Sequence, residues 1–453
     1  MKANVVICGA GIAGISTAYY LAVHHGVHDV FLIDERAPLT LTSDKSTEAY
    51  RNWWPGPGTA MVDLMNRSID LLDELALETG NSFHMNRRGY IYLTADPGRV
   101  AVMKQEAVDI SRIGAGPLRI EQSYSFDGEE GQFNSVSGAD LILNPDVIAE
   151  QYPFINPQAK ALLHTRRCGW LSAQQLGMVL LERARDAGVR LINGRVNAIK
   201  LINNTVNAVD VQAEHEVLHI QTRKFVNAAG PYVKDVGKLL GLDLPVYNEA
   251  HGKVAFEDPL GIIPRNCPMM IWDDPIFLPW SIEEREDLSA FEDTRWLLDE
   301  FPAGLHFRPE GGPGSQTVLA LWPYHIETYE NPVWPLQFDP EFVEIVMRGM
   351  VYMVPGLEVY LGRMSRPYID GGYYTKTKEN RFLSCPLPVS GAYIFGALSG
   401  YGIMAALAGA ELLTAHMTGG DLPQYAGAFD LDRYDDPAYQ KLLQDWEPTA
   451  GQL

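Results

Sequence analysis

The sequence predicts an α/β fold joined to an α+β part, and three observations predict it. A glycine-punctuated strand, helix and strand open the chain, and a strand, glycine turn and helix lie near its end. Between them, from about Leu244 to Leu361, the character changes to aromatic, proline-rich, strand-like pieces. At 453 residues, 46% of them hydrophobic, the chain is too long for one ordinary core and can bury more than one.

The opening unit is the most informative. Val5-Val6-Ile7-Cys8 is an apolar run, Gly9-Ala10-Gly11-Ile12-Ala13-Gly14 follows, and Ile15 to Val23 repeats apolar residues at helical spacing. A second strand, Val30-Phe31-Leu32-Ile33, ends at Asp34. In that context G-x-G-x-x-G reads as a Rossmann-type dinucleotide site. Gly9 permits the tight turn, Gly11 lets the backbone approach a pyrophosphate, and Gly14 lets the helix pack closely on the strand. The helix N-terminus near Ile12 offers N–H groups and a partial positive charge to the anion. Asp34 is placed to accept hydrogen bonds from ribose hydroxyls of either FAD or NAD. Glu35 beside it reads as surface and joins the site only as its neighbour.

In the middle of the chain, Leu176 to Ala187 reads as an amphipathic helix, followed by Gly188 and a strand at Val189 to Ile192. Short strands follow around Val196 to Ile199, Thr205 to Val211 and Val217 to Gln221, ending at Phe225 to Gly230, a return to the first domain. Beyond Leu244, Pro268 to Trp272 and Val318 to Trp322 flank an acidic insertion that reads as solvated surface. Tyr393 to Gly396, a glycine turn and a helix to Leu413 then complete the first domain. The expected segmentation is a discontinuous nucleotide-binding domain over 1–85, 150–245 and 360–450, interleaved with a mixed-sheet substrate domain over 86–149 and 246–359.

The net charge of -21, from 57 acidic and 36 basic residues, argues against nucleic acid or an anionic membrane surface as a partner. No apolar run is long enough to span a membrane. The four scattered cysteines, Cys8, Cys168, Cys267 and Cys385, form no C-x-x-C pair and no metal-ligand spacing, so no metal site is expected and a reducing, cytoplasmic setting fits.

Near the C-terminus, Gly396-Ala397-Leu398-Ser399-Gly400-Tyr401-Gly402-Ile403 would place a second helix N-terminus in the nucleotide domain. Its dipole could stabilise negative charge at N1 and O2 of a reduced flavin, which favours FAD over NAD. An ordinary helix cap is the alternative.

With these pieces assembled, the chain resembles the D-amino acid oxidase-like superfamily of flavoproteins, in the branch of monomeric sarcosine oxidase, glycine oxidase and dimethylglycine dehydrogenase-like proteins. The landmarks are the N-terminal glycines with Asp34, Asn227-Ala228-Ala229-Gly230-Pro231, and Ser399-Gly400-Tyr401-Gly402. Gly372-Tyr373-Tyr374-Thr375-Lys376-Thr377 looks like the C-M-Y-T-K-T segment of sarcosine oxidases, with Gly372 where their cysteine attaches the flavin. The stretch Ser43 to Arg51 contains no histidine for the other known linkage, so the resemblance implies a non-covalent FAD. The implied fold pairs a glutathione reductase-like, or p-hydroxybenzoate hydroxylase-like, FAD-binding domain with the substrate domain.

The resemblance also implies cofactor contacts from Gly9, Gly11, Ile12, Ala13, Gly14, Asp34, Glu35, Ser43, Ser46, Thr47, Val196, Ala229, Gly230, Gly372, Gly400, Tyr401, Gly402, Ile403 and Met404. It implies oxidation of a C–N bond of an amino acid or N-alkylated amine, with hydride passing to flavin N5. Orientation does most of that work, so no acid-base dyad is required. Arg51 matches one half of a carboxylate clamp, whereas the lysine of the other half matches Met404. The lysine that promotes reaction with oxygen falls in Thr317 to Leu321, where there is none. The electron acceptor is therefore O2, a quinone or another carrier.

Tyr374, Tyr401, His251 and Arg51 are the candidate catalytic residues. His306 and His325 are candidate polar pocket residues, and Trp53, Trp54 and Trp322 suggest a bulky or N-alkylated amine held by cation–π attraction. Two other readings stay open: oxidation of a 2-hydroxy acid or polyol, and a flavin-binding electron-transfer subunit of a hetero-complex. The sequence sets neither the substrate nor a homo- or hetero-oligomeric state.

Overall fold

The computed structural model describes residues 1–121, 124, 126, 136–363, 366–444 and 446. The expected domain bound at 450 lies outside them. The opening unit forms as its pattern predicts: strand Val5–Cys8, helix Ile12–Tyr19 and strand Val30–Asp34. Both strands are apolar up to Asp34, which ends the second, because the sheet is covered on both faces.

This sheet has six strands in the order Leu383–Pro386, Ala392–Gly396, Phe225–Asn227, Val5–Cys8, Val30–Asp34 and Arg190–Asn193. Every neighbouring pair is parallel except the first. All eight residues of helix Ile12–Tyr19 are buried, since it lies among the sheet and the helices Ala173–Asp186 and Gly402–Thr418. Burying each of its larger apolar side chains, Ile12 and Ile15, contributes about 1.5–3 kcal/mol.

Strands Arg195–Ile202, Thr205–Gln212 and Val217–Gln221 form a separate antiparallel sheet. Its first hairpin turns at Asn203-Asn204, both with positive φ, the conformation that two-residue hairpins demand and asparagine tolerates.

A ten-stranded mixed sheet covers the other side. Its long strand Tyr247–Glu257 pairs antiparallel with both Thr317–Leu321 and Tyr368–Lys376. Two strands from segments assigned by sequence to the nucleotide domain, Ala161–Thr165 and Tyr368–Lys376, are hydrogen-bonded here.

The acidic insertion forms helix Ile282–Ala290, closed by a capping box between Ser281 and Glu284. Glu284 is not merely solvated: with Glu344 it pairs to the buried Arg348, which stacks on Trp280. All four cysteines are buried and free. Among the described residues no helix is long and apolar enough to cross a membrane, and no group of side chains could hold a metal ion.

Candidate active site

Gly9 turns the chain at the end of the first strand with φ +110°, a conformation open to glycine. A Cβ there would stand 2.2 Å from the Ala228 carbonyl oxygen, and one at Gly14 would stand 1.9 Å from the Gly9 carbonyl oxygen. Close packing therefore fixes both. Gly11 instead walls a cavity, and Ser43 Oγ, which accepts the Ile12 N–H at 3.0 Å, is the atom that a Cβ at Gly11 would meet. Asp34 accepts the Ala10 N–H at 2.7 Å and the Arg36 N–H at 2.9 Å, which braces the glycine turn from the second strand.

The cavity over this turn measures about 670 Å³ and runs from Asp34, Glu35 and Val196, past Gly9 and Gly11, to Tyr374, Ser399 and Gly400. The helices beginning at Ile12 and Gly402 both present their N-termini to it. An elongated cavity with an acidic end, a glycine cradle and a second helix N-terminus at its aromatic end suits a dinucleotide with a charge-accepting ring.

The turn from Gly396 to Gly402 is strained, with Ala397 and Ser399 both at positive φ. Each such non-glycine residue costs on the order of 1–3 kcal/mol. Hydrogen bonds hold it: the Ser399 N–H donates to the Thr375 carbonyl and the Tyr401 hydroxyl to the Asn380 carbonyl, each at 2.8 Å.

A second, smaller cavity of about 50 Å³ shares Tyr374, Ser399 and Gly400 with the first. Arg51, Trp54 and Tyr401 form one part of its wall, and His251, His306 and Trp322 another. The Arg51 guanidinium lies 4.7 Å from the centre of the Trp54 ring and donates to Tyr92 Oη at 2.6 Å. Trp54 in turn meets Tyr401 edge-on at 5.1 Å.

Strand register explains the other part. Glu249 and His251 sit two apart on one strand, Tyr374 and Lys376 two apart on its neighbour, and Glu249 is paired with Tyr374, so all four share a face. Glu249 Oε2 lies 3.3 Å from His251 Nε2 and accepts from Lys376 Nζ at 3.0 Å. Burial pushes the Glu249 carboxyl upward, but the His251 hydrogen bond and the Lys376 charge outweigh it and hold the group below its ordinary value. An ionised Glu249 only accepts, which places the imidazole proton on Nε2. Burial lowers the His251 imidazole despite Glu249, and it lowers His306 to about 4. Both rings are neutral near neutrality.

The DAO family, described as FAD dependent oxidoreductase, matches residues 4–416. The chain belongs to this family. Dimethylglycine dehydrogenase from Rattus norvegicus mitochondria is 28% identical over 319 residues, covering 67% of this chain and 33% of the relative. The chain thus spans about a third of the length of the curated relatives it matches. Among solved structures, L-proline dehydrogenase from P. horikoshii superposes with a TM-score of 0.73 at 19% identity, covering 96% of this chain and 98% of that one. Glycine oxidase from Geobacillus kaustophilus gives 0.72 at 15% identity, with 96% and 98% covered. The chain has the DAO fold that its glycines and C-terminal turn implied.

Within this DAO-family site, Gly9, Gly11, Ile12, Ala13, Asp34, Glu35, Ser43, Ser46, Val196, Ala229, Gly230, Gly400, Gly402 and Ile403 line the large cavity. Gly14 lines neither cavity and packs under the turn, and Gly372 packs against Thr42 and Lys45. Thr47, Tyr401 and Met404, expected on the cofactor, line the small cavity instead. The Thr47 carbonyl accepts from Arg308 Nε at 2.7 Å. Arg51, Tyr374, Tyr401 and His251 all meet at the small cavity, with Trp54, Trp322 and His306. Trp53 is buried elsewhere and His325 is exposed.

Trp54 and Trp322, which suggested a bulky or N-alkylated amine, do wall the small cavity, which opens toward the large one at Tyr374, Ser399 and Gly400. Tyr90 and Asn380, which also wall it, escaped sequence reasoning. No local pattern marks either as part of a site.

Proposed function

We propose that this chain oxidises a C–N bond of a small amino acid, or of a secondary or N-alkylated amine, to an imine that water then hydrolyses. FAD, when bound, supplies the acceptor for the two electrons. The observation that carries this reading is the junction of the two cavities at Tyr374, Ser399 and Gly400, with Arg51 in the wall of the smaller one.

Arg51 is the sole arginine or lysine among the described residues lining that cavity, and its planar guanidinium suits a carboxylate. Trp54, Tyr401 and Tyr374 make the wall around Arg51 aromatic, a setting that favours an amine or substituted ammonium. Anchoring the carboxylate at one side and packing the carbon chain on these rings supplies orientation, which is most of what this chemistry needs. His251, neutral and with its proton held toward Glu249, adds no positive charge to repel the amine. The similarity to dimethylglycine dehydrogenase, L-proline dehydrogenase and glycine oxidase supports the same class.

FAD is assigned a non-covalent mode, because Gly372 has no side chain and a Cβ there would stand 3.0 Å from Lys45 Cβ. The six-stranded sheet and its helices are assigned to FAD and the ten-stranded sheet to substrate. O2, a quinone or another carrier reoxidises the enzyme.

The test is anaerobic mixing of the holoenzyme with matched panels of small amino acids, N-methyl amino acids and 2-hydroxy acids. Loss of flavin absorbance with the amines alone is the expected result. Bleaching by hydroxy acids alone would replace this reading with a hydroxy-acid dehydrogenase.

A further inference from the structure

We infer that the Asn380 side-chain amide receives the amine N–H of the substrate, so that the small cavity favours primary and secondary amino acids over fully N-alkylated ones. This rests on the C–N oxidation reading and deepens it.

Asn380 is 2% exposed and walls the small cavity but not the large one. Neither its Nδ2 nor its Oδ1 has a hydrogen-bond partner among the described residues. Leaving a buried amide unmatched is unfavourable, and natural cores rarely do so without a functional reason. Its backbone, by contrast, is fully engaged. Asn380 sits at φ +57°, its N–H donates to the Thr377 carbonyl at 3.1 Å, and its carbonyl accepts from Tyr401. Thr377 Oγ1 closes the same turn on the Arg381 carbonyl at 2.7 Å. The backbone is therefore held in place, and both polar atoms of the amide are unmatched among the described residues.

Tyr90 Oη, on a wholly buried ring in the same wall, also has no hydrogen-bond partner among the described residues. Burial, the largest influence on it, raises that phenol far above its ordinary range, so it stays a donor. Arg51 and Tyr90 together offer donors to a carboxylate. Asn380 offers both an acceptor and a donor.

An amino acid with a neutral amine matches this set. Its carboxylate accepts from Arg51 and Tyr90, its N–H donates to Asn380 Oδ1, and a carboxylate oxygen accepts from Nδ2. A tertiary amine in the same protonation state has no N–H and leaves Oδ1 unmatched. A site built to bond an N–H rejects the analogue that lacks it far more strongly than an apolar pocket rejects an extra methyl.

The experiment is anaerobic stopped-flow reduction of the holoenzyme by glycine, N-methylglycine and N,N-dimethylglycine, and by the same three forms of alanine. Each is run with wild type, Asn380→Gly and Asn380→Asp, and both limiting rate and Kd are read. Glycine and aspartate tolerate positive φ, and FAD content and Tm verify folding.

Wild type is expected to prefer N–H substrates. Asn380→Gly should lower kred/Kd for the N-methyl forms by about 10–100-fold, the worth of a hydrogen bond in a desolvated site, with little change for the dimethyl forms. Asn380→Asp keeps an acceptor and should retain the preference. A substrate ratio unchanged in Asn380→Gly overturns the inference, because a merely structural role would slow every substrate alike. Reduction of wild type by none of the six overturns the C–N reading itself.

Discussion

The imidazole of His251 lies flat on the phenol ring of Tyr374, with ring centres 4.0 Å apart and planes 14° apart. One ring comes from the long central strand and the other from its antiparallel neighbour, and together they wall the small cavity. Tyr374 also reaches the large cavity, so this stack ties the place for substrate to the place for cofactor.

Gly400 permits the stack. A Cβ at position 400 would stand 2.4 Å from a Tyr374 ring carbon, so Gly400→Ala must push the phenol off its seat. Overpacking of this kind costs about 1–3 kcal/mol. We expect a lower Tm and slower anaerobic reduction by amines, with FAD still bound. Unchanged reduction kinetics would show that the position of Tyr374 is irrelevant.

The Glu249 carboxylate holds both His251 and the ammonium of Lys376, which is almost wholly buried. Glu249→Gln leaves that ammonium without this carboxylate, and breaking a buried pair costs about 3–5 kcal/mol. Chemical denaturation should show a loss of that order. A loss under about 1 kcal/mol, the value of an exposed pair, would mean that the pair is well solvated.

Glu48 gives a pH dependence. Burial pushes its carboxyl from 4.5 to about 7, against the opposing charge of Arg308. Because the folded state holds the proton more tightly than the unfolded chain, the stabilisation is full below about 4.5 and is lost as pH rises through about 7. Glu48→Gln lacks this loss. The Tm of the variant relative to wild type should therefore climb between pH 5 and pH 8, and a constant difference would contradict the assignment.

Arg51 should matter for carboxylates. Arg51→Ala is expected to weaken amino-acid substrates by roughly 10–100-fold in kred/Kd, the worth of losing hydrogen bonds to a charged group, and neutral amines much less. Equal losses for both would remove Arg51 from substrate recognition.

The nucleotide turn was legible because its parts are close in sequence: Gly9, Gly11 and Gly14 lie within one turn, and Asp34 closes the next strand. The C-terminal turn was legible for the same reason. The small cavity was only partly so. Arg51, His251, Tyr374 and Tyr401 stood out by residue type and family position, but the facing of Thr47, in the segment before strand Ala49–Arg51, and of Met404, in helix Gly402–Thr418, depends on how the chain packs.

Tyr90 and Asn380 become informative only when distant segments close over them and leave their polar atoms unmatched. Strand Ala161–Thr165 lies in the segment read as 150–245, yet it pairs with Tyr90–Thr94 and Ala139–Ile142, partners chosen by long-range register that an apolar run does not encode.

The most direct measurement is product analysis of a single anaerobic turnover. The holoenzyme is mixed with a small amino acid that bleaches it, and nitrogen and carbonyl products are counted against FAD reduced. C–N oxidation at this site predicts one equivalent of ammonia or alkylamine and one of the oxo compound per FAD. Bleaching without release of nitrogen would contradict it.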